Sequence, residues 1–195
     1  MSQGKISRRD FVKAGGGTAG AAFLSNIPLV HASGQEQTIS VGLIGCGGRG
    51  PGAAENCLES SSNVRLVAMG DMFEDRLKGA RKSLSKKEGY KVEDDHVFTG
   101  FDAYKKVLES GVDMVILATP PGFRPYHFKA AVEAGKHIFF EKPVAVDPFG
   151  VRLVMEYGKI AKEKKLGVVA GTQRRHQKSY VETMQKIHEG GIGDI

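Results

Sequence analysis

Three groups of residues in this 195-residue chain have types and spacing suited to chemistry. The first is Gly45-Cys46-Gly47-Gly48-Arg49-Gly50, in which Gly45, Gly47 and Gly50 stand in G-x-G-x-x-G spacing. The first glycine permits a tight turn off a strand, the second lets the backbone approach a pyrophosphate, and the third lets helix and strand pack closely. A helix starting there offers free N–H groups and a positive dipole end to an anion. The second is Asp71, 21 residues after Gly50. A carboxylate at that distance can accept from an adenosine ribose hydroxyl; it also reads as a helix-capping or loop aspartate. An acid there favours NAD over NADP, but Arg49, Arg76 and Lys78 can offset a 2′-phosphate, so both cofactors stay open. The third is Glu141-Lys142-Pro143. Lys142 can hydrogen-bond a substrate hydroxyl or carbonyl, and its charge favours the alkoxide-like character that develops as hydride leaves carbon. Glu141 can orient it. The same pair also reads as a salt bridge at a strand end.

These groups need elements to position them. Residues 38–44, 64–69, 96–98, 112–118, 136–140 and 166–170 are apolar, β-branched runs that read as strands. Helices are expected from Pro51 to about Glu59, then over 74–86, 102–109, 126–134, 148–164 and 179–189. Alternating strands and helices argue an α/β fold with a doubly wound parallel sheet, a Rossmann dinucleotide-binding domain. With 26 glycines in the chain, chance G-x-G-x-x-G matches are common. This one follows a strand and precedes a helix, the context the motif requires. Thr119, Pro120 and Pro121 leave the fourth strand, and Glu141 and Lys142 the fifth, so both loops are expected on the carboxyl rim where such sheets bind ligands. The prolines stiffen the loop into a wall for a ring or ribose, or serve as a rigid connector. Cys46 reads as a small buried thiol rather than a redox group.

Composition narrows the function classes. The net charge is +6, but residues 1–32 carry four basic residues and one acidic one, leaving +3 on the rest. That is ordinary, and no basic run interleaved with aromatics points to nucleic acid. Two cysteines make no disulfide framework. The six histidines show no metal-ligand spacing, so no metal is expected.

The leader admits three readings: membrane anchor, secretion signal, or export signal for a folded protein. Ala14 to Val30 is an uncharged run of 17 residues, short for a span and broken by four glycines, Asn26 and Pro28. A removable signal over residues 1–32 fits better, with the cut after Ala32. Ser7-Arg8-Arg9-Asp10-Phe11-Val12-Lys13 resembles the twin-arginine export signal, with Val12 where leucine is usual. That resemblance implies the twin-arginine machinery as a partner and a periplasmic destination.

The stretches "VGLIGCGGRG", "GDMFEDR", "ATPP", "AGKHIFFEKP" and "GTQRRHQ" together resemble the glucose–fructose oxidoreductase and inositol dehydrogenase (Gfo/Idh/MocA) family over about residues 38 to 195. The resemblance implies a nicotinamide-dependent oxidoreductase acting on a sugar or polyol, with Lys142 catalytic. It implies cofactor contacts from Gly45, Cys46, Gly47, Gly48, Arg49, Gly50, Asp71, Thr119, Pro120, Pro121, Glu141, Lys142, Gln173 and Arg174. Thr119, Pro120 and Pro121 would line the nicotinamide side, and a cis peptide is expected at Lys142-Pro143. His127 comes later after the proline loop than is commonest in the family. Domains are expected as the signal at 1–32, the Rossmann domain at 33–172, and at 173–195 the start of an open-sheet substrate domain that this chain lacks. The homo-oligomer contact would lie on that domain. Two other readings stand beside this one: an exported NAD-dependent glycosidase acting by transient sugar oxidation, and a non-catalytic dinucleotide-binding protein.

Overall fold

The computed structural model describes residues 37–193. The leader, the signal reading and the cut after Ala32 lie outside the described residues. Six strands form one parallel sheet: β1 (Ile39–Ile44), β2 (Val64–Asp71), β3 (Val97–Thr99), β4 (Met114–Leu117), β5 (His137–Phe140) and β6 (Val168–Ala170), in the order β3-β2-β1-β4-β5-β6. The chain thus starts in the middle of the sheet, winds outward through β2 and β3, then crosses to β4 and winds the other way. The rim where β1 meets β4 is the topological switch point, where open parallel sheets bind ligands.

Six helices follow: α1 (Gly50–Ser60), α2 (Glu74–Leu84), α3 (Ala103–Glu109), α4 (Arg124–Glu133), α5 (Pro148–Glu163) and α6 (Lys178–His188). Side-chain alternation along the strands divides the core in two. Val41 and Leu43 of β1 and Leu66 of β2 pack with Ala53 and Ala54 of α1 and Leu77 and Leu84 of α2. Ile44 and Ala68 pack on the other face with Val107 of α3, Phe128 and Ala131 of α4 and Ala161 of α5. Both faces are covered, which is why the central strands read as near-continuous apolar runs.

Element ends fall within two residues of expectation, and several of the departures have a local reason. β4 is paired only over Met114–Leu117, with Asp113 diverted to Ser40, whose N–H donates to the Asp113 carboxylate at 2.8 Å. β2 runs on to Asp71, so that residue ends the strand rather than following it. α4 starts at Arg124 because Pro125 sits in its first turn, where a missing N–H costs nothing. α5 is capped by Asp147, whose carboxylate accepts from Gly150 N at 2.6 Å. After β6 come a turn at Gln173–Arg175 and α6, which buries no residue. Among the described residues no helix is long and apolar enough to cross a membrane.

Candidate functional site

The glycine turn lies where β1 leaves the sheet. Gly45 has φ +96°, and a Cβ there would stand 2.5 Å from Thr119 N and 2.7 Å from Ala118 C. A side chain is therefore excluded both by backbone conformation and by the loop after β4. A Cβ on Gly50 would overlap the Gly45 carbonyl oxygen, so α1 packs against the turn as closely as backbone allows. Gly47 and Gly48 are the opposite case. The nearest atom to a Cβ on Gly47 is Arg76 Nη1 at 3.8 Å, and on Gly48 nothing lies within 4 Å. The side of the turn those two glycines leave bare is open. α1 has no acidic residue in its first turn and no side-chain cap, so its positive end is left for an external anion. These features fit a dinucleotide pyrophosphate.

Asp71 is held against the turn. One carboxylate oxygen accepts from Cys46 N at 2.6 Å and the other from Phe73 N at 2.9 Å. Each oxygen has a second lone pair, so a ribose hydroxyl can still donate to it. The cap-or-ribose alternatives are thus compatible in one side chain. Cys46 lies beneath, buried, with its thiol directed at Gly70 O at 3.6 Å. Burial first, and the Asp71 charge second, push that thiol up.

A cleft of about 540 Å³ runs along this rim. Gly45, Gly47, Gly48, Arg49, Asp71, Thr119 and Pro120 line it, together with Arg76, Phe101, Tyr104, Phe123, Arg124 and His127. Pro121, Glu141 and Lys142 stand outside that lining. Lys142 is exposed two residues past β5, on the same rim, and the Lys142–Pro143 peptide is cis.

Glu141 does not orient Lys142, contrary to expectation. It is 5% exposed and pairs with Arg49, whose Nε stands 2.7 Å from its Oε1. The ion pair crosses from the turn after β1 to the loop after β5. Gln173 and Arg174 are not brought to the cleft either. Both are exposed, and the Arg174 guanidinium lies over the Tyr180 ring, 5.4 Å from its centroid. They follow β6, which is three places from β1 in the sheet, or roughly 14 Å at ordinary strand spacing.

Two residues of the site escaped sequence reasoning as functional groups. Arg124 is 3% exposed and donates through Nη1 to Pro143 O and through Nη2 to Thr119 O. His127 Nδ1 lies 3.1 Å from Thr119 Oγ1, and its ring stacks on Tyr104 with centroids 4.3 Å apart. Burial, reinforced by the Arg124 charge, lowers His127 to about 4, so it is a neutral ring at physiological pH. The signal for both was the three-residue spacing from Arg124 to His127, which puts them on one helix face. Among the described residues no group of three or more His, Cys, Asp or Glu is placed to hold a metal ion.

Comparison with known proteins agrees with this geometry. Residues 39–172 match the model of the Gfo/Idh/MocA oxidoreductase family, NAD-binding Rossmann fold. Residues 5–25 match the twin-arginine translocation pathway signal sequence. Inositol 2-dehydrogenase 1 of Saccharopolyspora erythraea is 29% identical over 157 residues, 80% of this chain and 43% of the relative. Glycosyl hydrolase family 109 protein 1 of Bacteroides fragilis is 34% identical over 110 residues, 55% of this chain and 23% of the relative. The crystal structure of scyllo-inositol dehydrogenase from Lactobacillus casei, with bound NAD(H) and scyllo-inositol, superposes with a TM-score of 0.64 at 27% identity, covering 82% of this chain and 43% of that one. The chain thus spans under half the length of these relatives. By its strand order, its glycine turn and the match over residues 39–172, the chain belongs to the Gfo/Idh/MocA oxidoreductase family, through its NAD-binding Rossmann fold.

Proposed function

We propose that this chain is the dinucleotide-binding part of an exported NAD- or NADP-dependent oxidoreductase that moves hydride to or from a sugar or polyol. The observation that carries the reading is one rim holding the open glycine turn, the Asp71 carboxylate and the Lys142 loop. A nicotinamide bound there supplies the hydride acceptor or donor. The N–H groups of Gly47 and Gly48 and the start of α1 hold the pyrophosphate, and Asp71 accepts from the ribose. Thr119 and Pro120 wall the ring, with Pro121 stiffening the loop behind them, and Arg49 adds charge beside the phosphates. Lys142 donates a hydrogen bond to the substrate oxygen and stabilises negative charge developing on it. Gln173 and Arg174 reach the cofactor only if the segment after β6 rearranges. The remaining substrate pocket and the homo-oligomer contact belong to a further domain after residue 172; the support is that the relatives are more than twice as long as the matched stretch.

The twin-arginine match supports export to the periplasm, with residues 1–32 removed. That pathway fits a protein that folds around its nucleotide before crossing the membrane.

The test is the full-length protein with NAD⁺ and a panel of inositols and hexoses, followed by NADH absorbance. Turnover of one of them is expected, with Lys142→Met losing about a hundredfold or more and keeping NADH affinity within about twofold. A Lys142→Met variant with unchanged turnover overturns the catalytic assignment. The similarity to a glycosyl hydrolase family 109 protein favours one second reading, an NAD-dependent glycosidase. Release of an aglycone with no net change in NADH selects it.

A further inference from the structure

The loops after β4 and β5 share an anchoring problem. Regular sheet pairing ends at Ala118, whose N–H donates to Ile44 O, and at Glu141, whose N–H donates to Leu117 O. Beyond those bonds Pro120, Pro121 and Pro143 lack donors, which leaves the two loops few backbone N–H groups with which to cross-pair. Their carbonyls converge instead on one side chain. Arg124 gives one end of its guanidinium to Thr119 O and the other to Pro143 O. His127, one turn along α4, adds a contact to the Thr119 hydroxyl at 3.1 Å.

Arg124 is costly where it stands. It is buried, it occupies the first residue of α4 where the helix dipole is positive, and its Nε has no partner among the described residues. Cations are disfavoured on both counts. Burial lowers its pKa, and the Glu141 carboxylate opposes that shift. A helix-docking residue needs none of this, since Phe128 and Ala131 already bury the inner face of α4.

We infer that Arg124 is a positioning residue, a two-pronged clasp that fixes the Thr119–Pro120 wall against the Lys142–Pro143 loop and so sets where the nicotinamide and the Lys142 ammonium stand relative to each other. The inference rests on reading the cleft as a dinucleotide site. A planar fork fixes the span between the two carbonyls it serves; a lysine ammonium can also reach two carbonyls, as Lys164 does with Val132 O and Glu133 O, but as a point charge on a flexible stem it does not fix their separation.

The test compares the wild-type full-length protein with Arg124→Lys and Arg124→Met. Hydrogen exchange is measured on peptides spanning 118–123 and 142–147, and binding of ADP-ribose and NADH by titration with NADH fluorescence. In the wild type both peptides are expected to exchange far more slowly than an open loop. In both variants the two peptides exchange together at least about tenfold faster, while β1 and β2 are unchanged. ADP-ribose, which avoids the nicotinamide wall, binds within about twofold of wild type, whereas bound NADH loses its fluorescence enhancement. A merely structural role would weaken both ligands alike. Wild-type loops exchanging at open-loop rates overturn the inference even if the Met variant does not fold. So does an Arg124→Lys variant that matches wild type, or an effect confined to one loop. Failure of the wild type to bind either nucleotide sinks the dinucleotide reading instead, and the exchange rates of the two loops still decide whether the clasp exists.

Discussion

Exchanging Gly45 and Gly47 for alanine, one at a time, separates the glycine that builds the turn from the glycine that admits a ligand. At Gly45 the new Cβ would meet Thr119 N at 2.5 Å and must be accommodated at φ +96°. A left-handed backbone costs an alanine about 1–2 kcal/mol, and overpacking adds about 1–3 kcal/mol. A total of about 3 kcal/mol lowers the melting temperature of a domain this size by about 6–12 °C. At Gly47 the Cβ has no protein neighbour closer than Arg76 Nη1 at 3.8 Å, so Gly47→Ala is expected to melt within about 2 °C of wild type. It nevertheless puts a methyl group where the phosphates approach the turn. Weakening one or two charge-assisted amide–phosphate bonds costs about 1.5–3 kcal/mol, or about 10- to 100-fold in NADH affinity. Scanning calorimetry reads the first quantity and isothermal titration with NADH the second. Gly47→Ala binding NADH as tightly as wild type, or melting as low as Gly45→Ala, would refute the reasoning.

Other outcomes follow from the same geometry. Asp71→Asn keeps an acceptor for Cys46 N but removes the charge, so NADPH is expected to gain on NADH by about tenfold in the ratio of their dissociation constants, measured by titration. His127 is held at about 4 against an ordinary 6.5. The unfolded chain therefore protonates first as pH falls. The stability supplied by the neutral ring is complete above pH 6.5 and lost toward pH 4, by about 2–3 kcal/mol. Urea melts at pH 7 and pH 4.5 should show that slope in the wild type and a shallower one in His127→Gln. Glu141→Gln weakens the pair with Arg49, which is 43% exposed, and is expected to cost about 1–2 kcal/mol by urea denaturation.

The fold was legible because every local signal agreed with it. The buried strands are apolar on both faces, α2 and α5 are amphipathic and α5 is capped by Asp147, and the G-x-G-x-x-G turn falls where a strand hands over to a helix. Asp71 was legible for the same reason, since its place depends on one βαβ unit of nearly fixed length. What stayed hidden depends on contacts distant in the chain. Glu141 pairs with Arg49 across 92 residues, and nothing in "FFEKP" distinguishes that partner from the adjacent lysine. Arg124 lies between Phe123 and Pro125 in a stretch that reads as a rigid connector, and an arginine in a loop is ordinarily solvated. Only the convergence of two donor-poor loops draws it inside. The placement of Gln173 and Arg174 away from the cleft came from sheet order, which assigns β6 to the edge.

The most direct measurement is a crystal structure of the full-length protein with NADH bound. The diphosphate is expected against the Gly47 and Gly48 amides at the start of α1, a ribose hydroxyl on Asp71, and the nicotinamide beside Thr119 and Pro120 facing Lys142. Nucleotide density on another face of the sheet, or a diphosphate that does not touch the turn at residues 45–50, would contradict the account.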